Sequence, residues 1–236
     1  MRKQRSDGLE TREQLLAAAS EIFAAKGFRA ATIAEICKRA RVNAAAASYH
    51  FGGKAALYVA SWRYAFERSL ANYPPDGGVS AGAPAGERLH GRILSLMRRI
   101  TDPKSLVFDI AHTEMASPTG LLTETIRQST EPIFQGLGAL IRELLGPKAA
   151  EQQIRLCLMS IRAQCFAPLL WERRRKLAQP DRMPPGPEPL QDDVEALADH
   201  VTRFSLAGIR EMRREAEGRV VPLPAAKPRS CARGSR

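Results

Sequence analysis

Tyr49, His50 and Lys54 place a phenol, an imidazole and an ammonium group within one short stretch. Such a set donates hydrogen bonds to phosphate oxygens. Just upstream, Arg41, Asn43 and Ser48 carry the donors and acceptors that read base edges, whereas Ala44 and Ala45 offer only methyl groups that fit against a thymine methyl. Other chemistry is not visible. Ser48 and His50 are two positions apart, so on a helix they do not face each other. No nucleophile, base and orienting group occur at workable spacing, and no glycine-rich phosphate loop is present, so no enzyme activity and no cofactor are expected. Cys37, Cys157, Cys165 and Cys231 form no C-x-x-C pair and no cluster with histidine. They read as reduced thiols without a metal.

The elements that position these residues are short. Thr32 is expected to cap a helix, with Glu35 completing a capping box, and Ile33, Ile36, Cys37 and Ala40 share its inner face. A turn through Ala40, Arg41 and Val42 leads to Asn43, an N-cap for a second helix ending near Tyr49. Two helices across so tight a turn form a helix-turn-helix, whose second member enters the DNA major groove while the first crosses the backbone. Thr32, at the start of the first helix, joins Arg41, Asn43, Ala44, Ala45, Ser48, Tyr49, His50 and Lys54 as the DNA-contact set. Gly52 and Gly53 bend the chain into a helix from Lys54 to about Tyr73, whose free amides and positive dipole end favour a phosphate. Ahead of the motif, Thr11 to Gln14 reads as the capping box of a supporting helix with Leu15, Leu16, Ala19, Ile22 and Phe23 inside and Gly27 at its end. Residues 1–10, with Arg2, Lys3 and Arg5, read as a mobile basic arm.

The run Val42-Asn43 through Ser48-Tyr49-His50-Phe51-Gly52-Gly53-Lys54, after the Ile-Ala opening at residues 33–34, resembles the DNA-binding domain of TetR-family transcriptional regulators, and within them the CecR-like subgroup. The likeness is dense over residues 11–66 and looser beyond. Two positions depart from the family pattern. Arg41 stands where the turn usually carries glycine, and the recognition helix is nearly all alanine where relatives carry longer side chains. The resemblance implies an all-α protein with an N-terminal three-helix DNA-binding domain followed by a helical ligand-binding and dimerisation domain. It also implies a double-stranded operator, a homodimer, a small-molecule effector, repression as the commoner mode, and efflux genes as common targets.

The remainder of the chain is compatible with that reading. A length of 236 residues with 44% hydrophobic residues suffices for a substantial core. No run of 18 apolar residues and no signal peptide occur, so a cytoplasmic protein without a membrane partner is expected. The net charge of +11 is uneven: residues 1–63 hold 11 Lys/Arg against 5 Asp/Glu, residues 218–236 hold 5 against none, and the stretch between balances. Positive charge gathered on the motif is the footprint of phosphate contact. The expected division is an arm over 1–10, the helix-turn-helix domain over 11–54, a helical effector and dimerisation domain over 55–217, and a disordered basic tail over 218–236.

Residues 74–86 are turn formers and read as a linker that leaves the preceding helix room to pivot. Pro132 predicts a kink or break in a helix over 121–145. Long helices at 150–177 and 190–217 carry apolar stripes, Ile154, Leu158, Ile161, Cys165 and Leu169 on one, Val194, Leu197, Val201, Ser205, Gly208 and Met212 on the other. These are expected to pair with their copies in a four-helix dimer interface. Polar residues interrupting apolar helices mark a candidate effector pocket of Phe108, His112, Met115, Arg162, Gln164 and Cys165, with Trp171 nearby. A second reading is a helical dimeric interaction module whose degenerate motif binds a protein or an anionic surface. Saturable, competitor-resistant binding to the protein's own upstream DNA separates the two.

Overall fold

Leu15, Leu16, Ala19, Ile22 and Phe23 are buried along one side of the first helix, as their spacing requires. The computed structural model describes the backbone of residues 2–177 and 193–218 and the side chains of residues 8–167 and 193–218. All regular elements among the described residues are helices: α1 (Arg2–Ala30), α2 (Ile33–Ala40), α3 (Ala44–Phe51), α4 (Lys54–Asn72), α5 (Ala85–Thr101), α6 (Val107–Ala116), α7 (Thr123–Leu145), α8 (Glu151–Leu177) and α9 (Val194–Ala216). None is long and apolar enough to cross a membrane. The stretch between the helices expected at 150–177 and 190–217, Trp171, Leu169, Cys231 and the tail beyond Gly218 lie outside the described residues or side chains.

Helix α1 begins at Arg2, so the arm expected over residues 1–10 is helical from its second residue and Thr11 lies inside the helix rather than at its start. The run is rich in Lys, Arg, Gln and Glu, residues that lose little side-chain freedom in a helix, and this outweighs the missing apolar period. The side chains of Arg2, Lys3 and Arg5 are outside the described ones. At the other end Gly27 adopts φ 70° and ψ 176°, kinking the final turn. A side chain there would be strained.

Two hydrophobic cores form. The first joins α1, α2, α3, α4 and α6 through residues such as Phe23, Ile36, Ala47, Tyr58, Trp62 and Ile110. The second joins α5, α7, α8 and α9 through Leu89, Met97, Ile141, Ile161, Cys165, Val201 and Ile209. Helix α7 continues as one helix through Pro132. The apolar stripes of α8 and α9 correct the expectation drawn from them. Ile154, Ile161, Cys165, Val201 and Ser205 are buried within the protomer, and Leu158, Val194, Leu197 and Met212 pack against the same core. A helix lying on a bundle must first cover its own most apolar face.

The linker at 74–86 is also not slack. The Gly77 and Gly91 backbones approach so closely that a β-carbon at Gly77 would lie 2.3 Å from the Gly91 carbonyl oxygen. The Ser95 hydroxyl donates to the Tyr73 carbonyl at 3.1 Å and also contacts that of Pro74 at 2.5 Å. The end of α4 is therefore pinned to α5, and the freedom to pivot read from composition is absent.

Arg99 is only 4% exposed, and its one hydrogen bond among the described residues runs from Nε to the Ser95 carbonyl at 3.4 Å. Burial lowers its guanidinium to about 10. A buried guanidinium held by one weak hydrogen bond among the described residues opposes folding through its lost hydration, and an apolar side chain of similar volume removes that cost. Arg99→Met is expected to raise the folding free energy by about 1–4 kcal/mol. Chemical denaturation checks this, and a lower midpoint for the variant contradicts it.

Burial likewise pushes up the thiols of Cys37 and Cys157, and that of Cys165 to about 12. All three are free and buried. No cluster of metal-ligating side chains occurs among the described residues.

Candidate nucleic-acid interface

Caps, a left-handed residue and ion pairs to α1 build the turn between α2 and α3. The Thr32 hydroxyl accepts the Glu35 amide at 3.2 Å, capping α2. Glu35 places its carboxylate on Lys26, and Arg39 pairs with Glu21, so two ion pairs tie α2 to α1. Arg41 adopts φ 59° and ψ 37°, the left-handed conformation that the glycine usually found there would supply. It is the sole non-glycine residue at positive φ among those described. Its amide donates to the Lys38 carbonyl at 3.3 Å and that of Val42 to Cys37 at 3.0 Å, closing the end of α2. The strain, about 1 kcal/mol, is held by these bonds. The Asn43 Oδ1 accepts the Ala46 amide at 2.8 Å and starts α3.

Helix α3 reaches Phe51, past the end expected near Tyr49, and Gly52 closes it at φ 71°. Ala47 is buried beneath it. Ala44, Ala45, Ser48 and Tyr49 are exposed on the opposite side, together with Thr32, Arg41 and Asn43. Tyr49 is 85% exposed, unusual for so large an aromatic ring, and meets His50 edge-on at 5.2 Å. His50 is half-buried between Tyr49 and Phe51. The carbonyl oxygen of Asn43 is committed to the cap, which leaves its amide nitrogen as the donor for a base edge.

Lys54 is half-buried. Its ammonium donates to the Arg29 carbonyl at 3.3 Å and lies 4.6 Å from the centre of the Phe28 ring. It thus braces the start of α4 against the end of α1 while holding a positive charge at that helix N-terminus. Arg12 lies 5.4 Å from the Phe51 ring, adding a cation behind α3 that the sequence reading did not include. Only proximity in the folded chain reveals it. Of the nine candidate contacts, seven are exposed and His50 and Lys54 are half-buried.

The effector candidates are more scattered. Arg162 stacks over Phe134 at 3.9 Å, and Phe108 meets Phe166 at 6.0 Å, so these two approach neighbouring positions on α8. His112 is half-buried on α6. Met115 is 68% exposed, Cys165 is fully enclosed in the second core, and the Gln164 amide donates to Ser160 of its own helix at 3.2 Å. The structure does not bring the six together. A connection absent from the sequence reading lies within the first core, between α4 and the end of α6. The Tyr58 hydroxyl donates to the Glu114 carboxylate at 3.1 Å, and Glu114 also accepts from the Thr119 amide and hydroxyl and the Gly120 amide. Burial, followed by the charge of Glu114, pushes the Tyr58 phenol well up.

Comparison with known proteins accords with this geometry. Residues 15–60 match the model for bacterial regulatory proteins of the tetR family, and residues 85–209 match the C-terminal domain of the HTH-type transcriptional dual regulator CecR. The chain is 26% identical over 145 residues to the HTH-type transcriptional regulator SrpR of Pseudomonas putida, a match covering 60% of this chain and 64% of SrpR. Among solved structures, the fatty acid degradation regulator FadR from Bacillus halodurans superposes with a TM-score of 0.62 at 17% identity, covering 85% of this chain and 96% of FadR. AibR, solved in complex with isovaleryl coenzyme A and operator DNA, superposes at 0.57 with 18% identity, covering 82% of this chain and 97% of AibR. At these identities the superpositions report the fold. The CecR-type match alone spans more than half of the chain, which accordingly belongs to the TetR family of transcriptional regulators and resembles CecR.

Proposed function

We propose that the protein is a ligand-released repressor that binds its operator as a homodimer, with efflux genes as targets. The observation that carries the reading is the exposed face of α3, bounded by Arg41, Asn43, Ser48 and Tyr49 and held rigid by a cap at either end. Ala44 and Ala45 cannot hydrogen-bond base edges, so Asn43, Ser48 and Arg41 carry direct readout, while Thr32, Tyr49, His50 and Lys54 contact phosphates.

The dimer forms through the outer faces of α8 and α9. Leu156 and Met159 on α8 are 46% and 60% exposed, and Phe204 on α9 is 63% exposed beside the small residues Ala207 and Gly208. Exposed apolar area of this kind marks an association surface. Two recognition helices then address half-sites about 34 Å apart. Footprinting of the upstream DNA is expected to show two protected segments at that spacing, lost together in Phe204→Glu. A single protected segment, or protection unaffected by the variant, contradicts this arrangement.

Release runs through α6. Its Thr113 hydroxyl reaches the Phe23 carbonyl at 3.5 Å and its Glu114 holds Tyr58 of α4, while Phe108 meets Phe166 of α8. An effector between α6, α7 and α8 that prefers one position of α6 biases both helices supporting α3; equal affinity for the two positions shifts nothing. A coupling of about 1–3 kcal/mol weakens operator binding roughly 5- to 150-fold, and DNA weakens effector binding by the same factor. Calorimetric titration with and without operator reads this reciprocity, and identical affinities for a compound bound in this region contradict it.

A further inference from the structure

The flank of α8 holds a cleft of about 480 Å3 lined by Arg155, Leu158, Met159, Arg162, Ala163 and Phe166. At 100° per residue, Arg155, Met159, Arg162 and Phe166 form one stripe beside the buried stripe of Ile154, Cys157, Ile161 and Cys165. The cleft therefore lies between the protomer's core and the proposed dimer face, with Phe134 of α7 under the Arg162 guanidinium and Phe108 of α6 edge-on to Phe166. Apolar surface dominates its wall, and arginine supplies the charge.

Arg162 is the unsatisfied group. Its Nε is buried without a hydrogen-bond partner, and no carboxylate among the described residues pairs with it. Burial lowers its pKa. The Phe134 ring covers one face of the guanidinium, which recovers part of the lost hydration but accepts none of its in-plane N–H groups. Because Nε itself is enclosed, an anion in the cleft meets the guanidinium through its Nη groups, whose paired N–H donors match the two oxygens of a carboxylate. Arg155, two turns away on the same stripe and exposed, puts a second cation at the open end, which draws an anion in without costing desolvation.

We propose that this cleft binds a small organic carboxylate, its oxygens on the Nη groups of Arg162 and its apolar body against Leu158, Phe166 and Phe134. The inference rests on the effector-released reading above and names the effector's chemical class. A bound acid pressing on Phe166 meets Phe108 of α6, the helix whose other contacts hold α1 and α4. Occupancy therefore reaches the DNA-binding surface through packed side chains.

The test uses the full-length protein and matched pairs of probes, 4-phenylbutyrate with 4-phenylbutanamide and 2-naphthoate with 2-naphthamide, titrated by calorimetry at neutral pH. The acids are expected to bind about 10- to 100-fold more tightly than their amides, the cost of losing a charge-assisted contact. Arg162→Met is expected to reduce acid binding to the level of the amide, Arg162→Lys to retain part of it, and Arg155→Met to have the smaller effect. Thermal melts of each variant show that the fold is kept, and the acid and amide comparison on the unaltered protein stands even if a variant unfolds. Equal binding of acid and amide, undiminished acid binding in Arg162→Met, or no binding by either acid would each overturn the proposal. Anisotropy of labelled upstream DNA with the same protein separates the two levels: specific DNA binding with no acid binding leaves the regulator and removes this inference, whereas no specific DNA binding removes the regulator itself.

Discussion

Operator affinity is expected to fall about 10³- to 10⁵-fold between 50 and 200 mM salt, as for a dimer that neutralises 6 to 10 phosphates. The expectation follows from residues 1–63, which hold 11 basic against 5 acidic residues. Not all of those cations are available. Lys26 and Arg39 are engaged with Glu35 and Glu21, so Lys38, Arg41 and Lys54 stand out near α3, with Thr32, Tyr49 and His50 as further donors. Lys54→Ala is expected to weaken binding to all sequences alike and to lower the slope of log affinity against log salt by about 1 per protomer. The same substitution releases the Arg29 carbonyl and the Phe28 ring. Thermal stability measured alongside distinguishes a lost phosphate contact from a loosened helix start. A salt slope unchanged in the variant removes Lys54 from the contact set.

Glu114→Ala is expected to cost about 1–3 kcal/mol of folding free energy, because it strands the buried Tyr58 hydroxyl and takes the acceptor from half-buried Thr119 and exposed Gly120. The carboxylate is 8% exposed and takes the Tyr58 hydroxyl at 3.1 Å, the Thr119 amide at 3.0 Å and hydroxyl at 2.9 Å, and the Gly120 amide at 3.0 Å. Each donor left without an acceptor in a dry site costs about 1–3 kcal/mol. Glu114→Gln keeps an acceptor of the same shape and is expected to lose less. Tyr58→Phe removes one donor and leaves the others satisfied, so it is expected to be mild. Urea denaturation of the three variants checks the order. Equal stability of Glu114→Ala and the unaltered protein contradicts the role given to this network. Because Tyr58 belongs to α4 and Glu114 to α6, the same variants are expected to reduce the effector's influence on DNA more than DNA binding itself.

The parts of the fold legible in the sequence are those decided within a few residues. Thr32, Arg41 and Asn43 perform the capping and left-handed roles that their positions predict, because a cap depends on one side chain and amides nearby. The left-handed turn survives the exchange of glycine for arginine because bonds from Arg41 and Val42 back to α2 over-determine it. What depends on distant partners was not legible. Trp62, 2% exposed, is buried with Tyr58 and Ala65 on α4, a face whose width is decided by what packs against it. The periodicity of α8 and α9 identified an apolar face without saying whether a neighbouring helix or a second copy covers it, and the protomer's own core took it. The linker's composition announced turns correctly and slackness wrongly, since small residues also permit the close approach of Gly77 to Gly91. Polar residues in apolar helices located Arg162 but grouped it with Gln164 and Cys165, which adjacent positions on a helix turn onto different faces.

The central claim is that the exposed face of α3 reads a specific DNA sequence. Its most direct test is competition: labelled DNA from upstream of the protein's own gene is titrated with the dimer at fixed salt, against unlabelled upstream DNA and random duplex of equal length. The expected result is upstream affinity at least about 10³-fold tighter than random duplex, with Asn43→Ala and Ser48→Ala narrowing that ratio while general affinity holds. Equal competition by the two duplexes would contradict the account, leaving a basic helical dimer that binds phosphate without reading sequence.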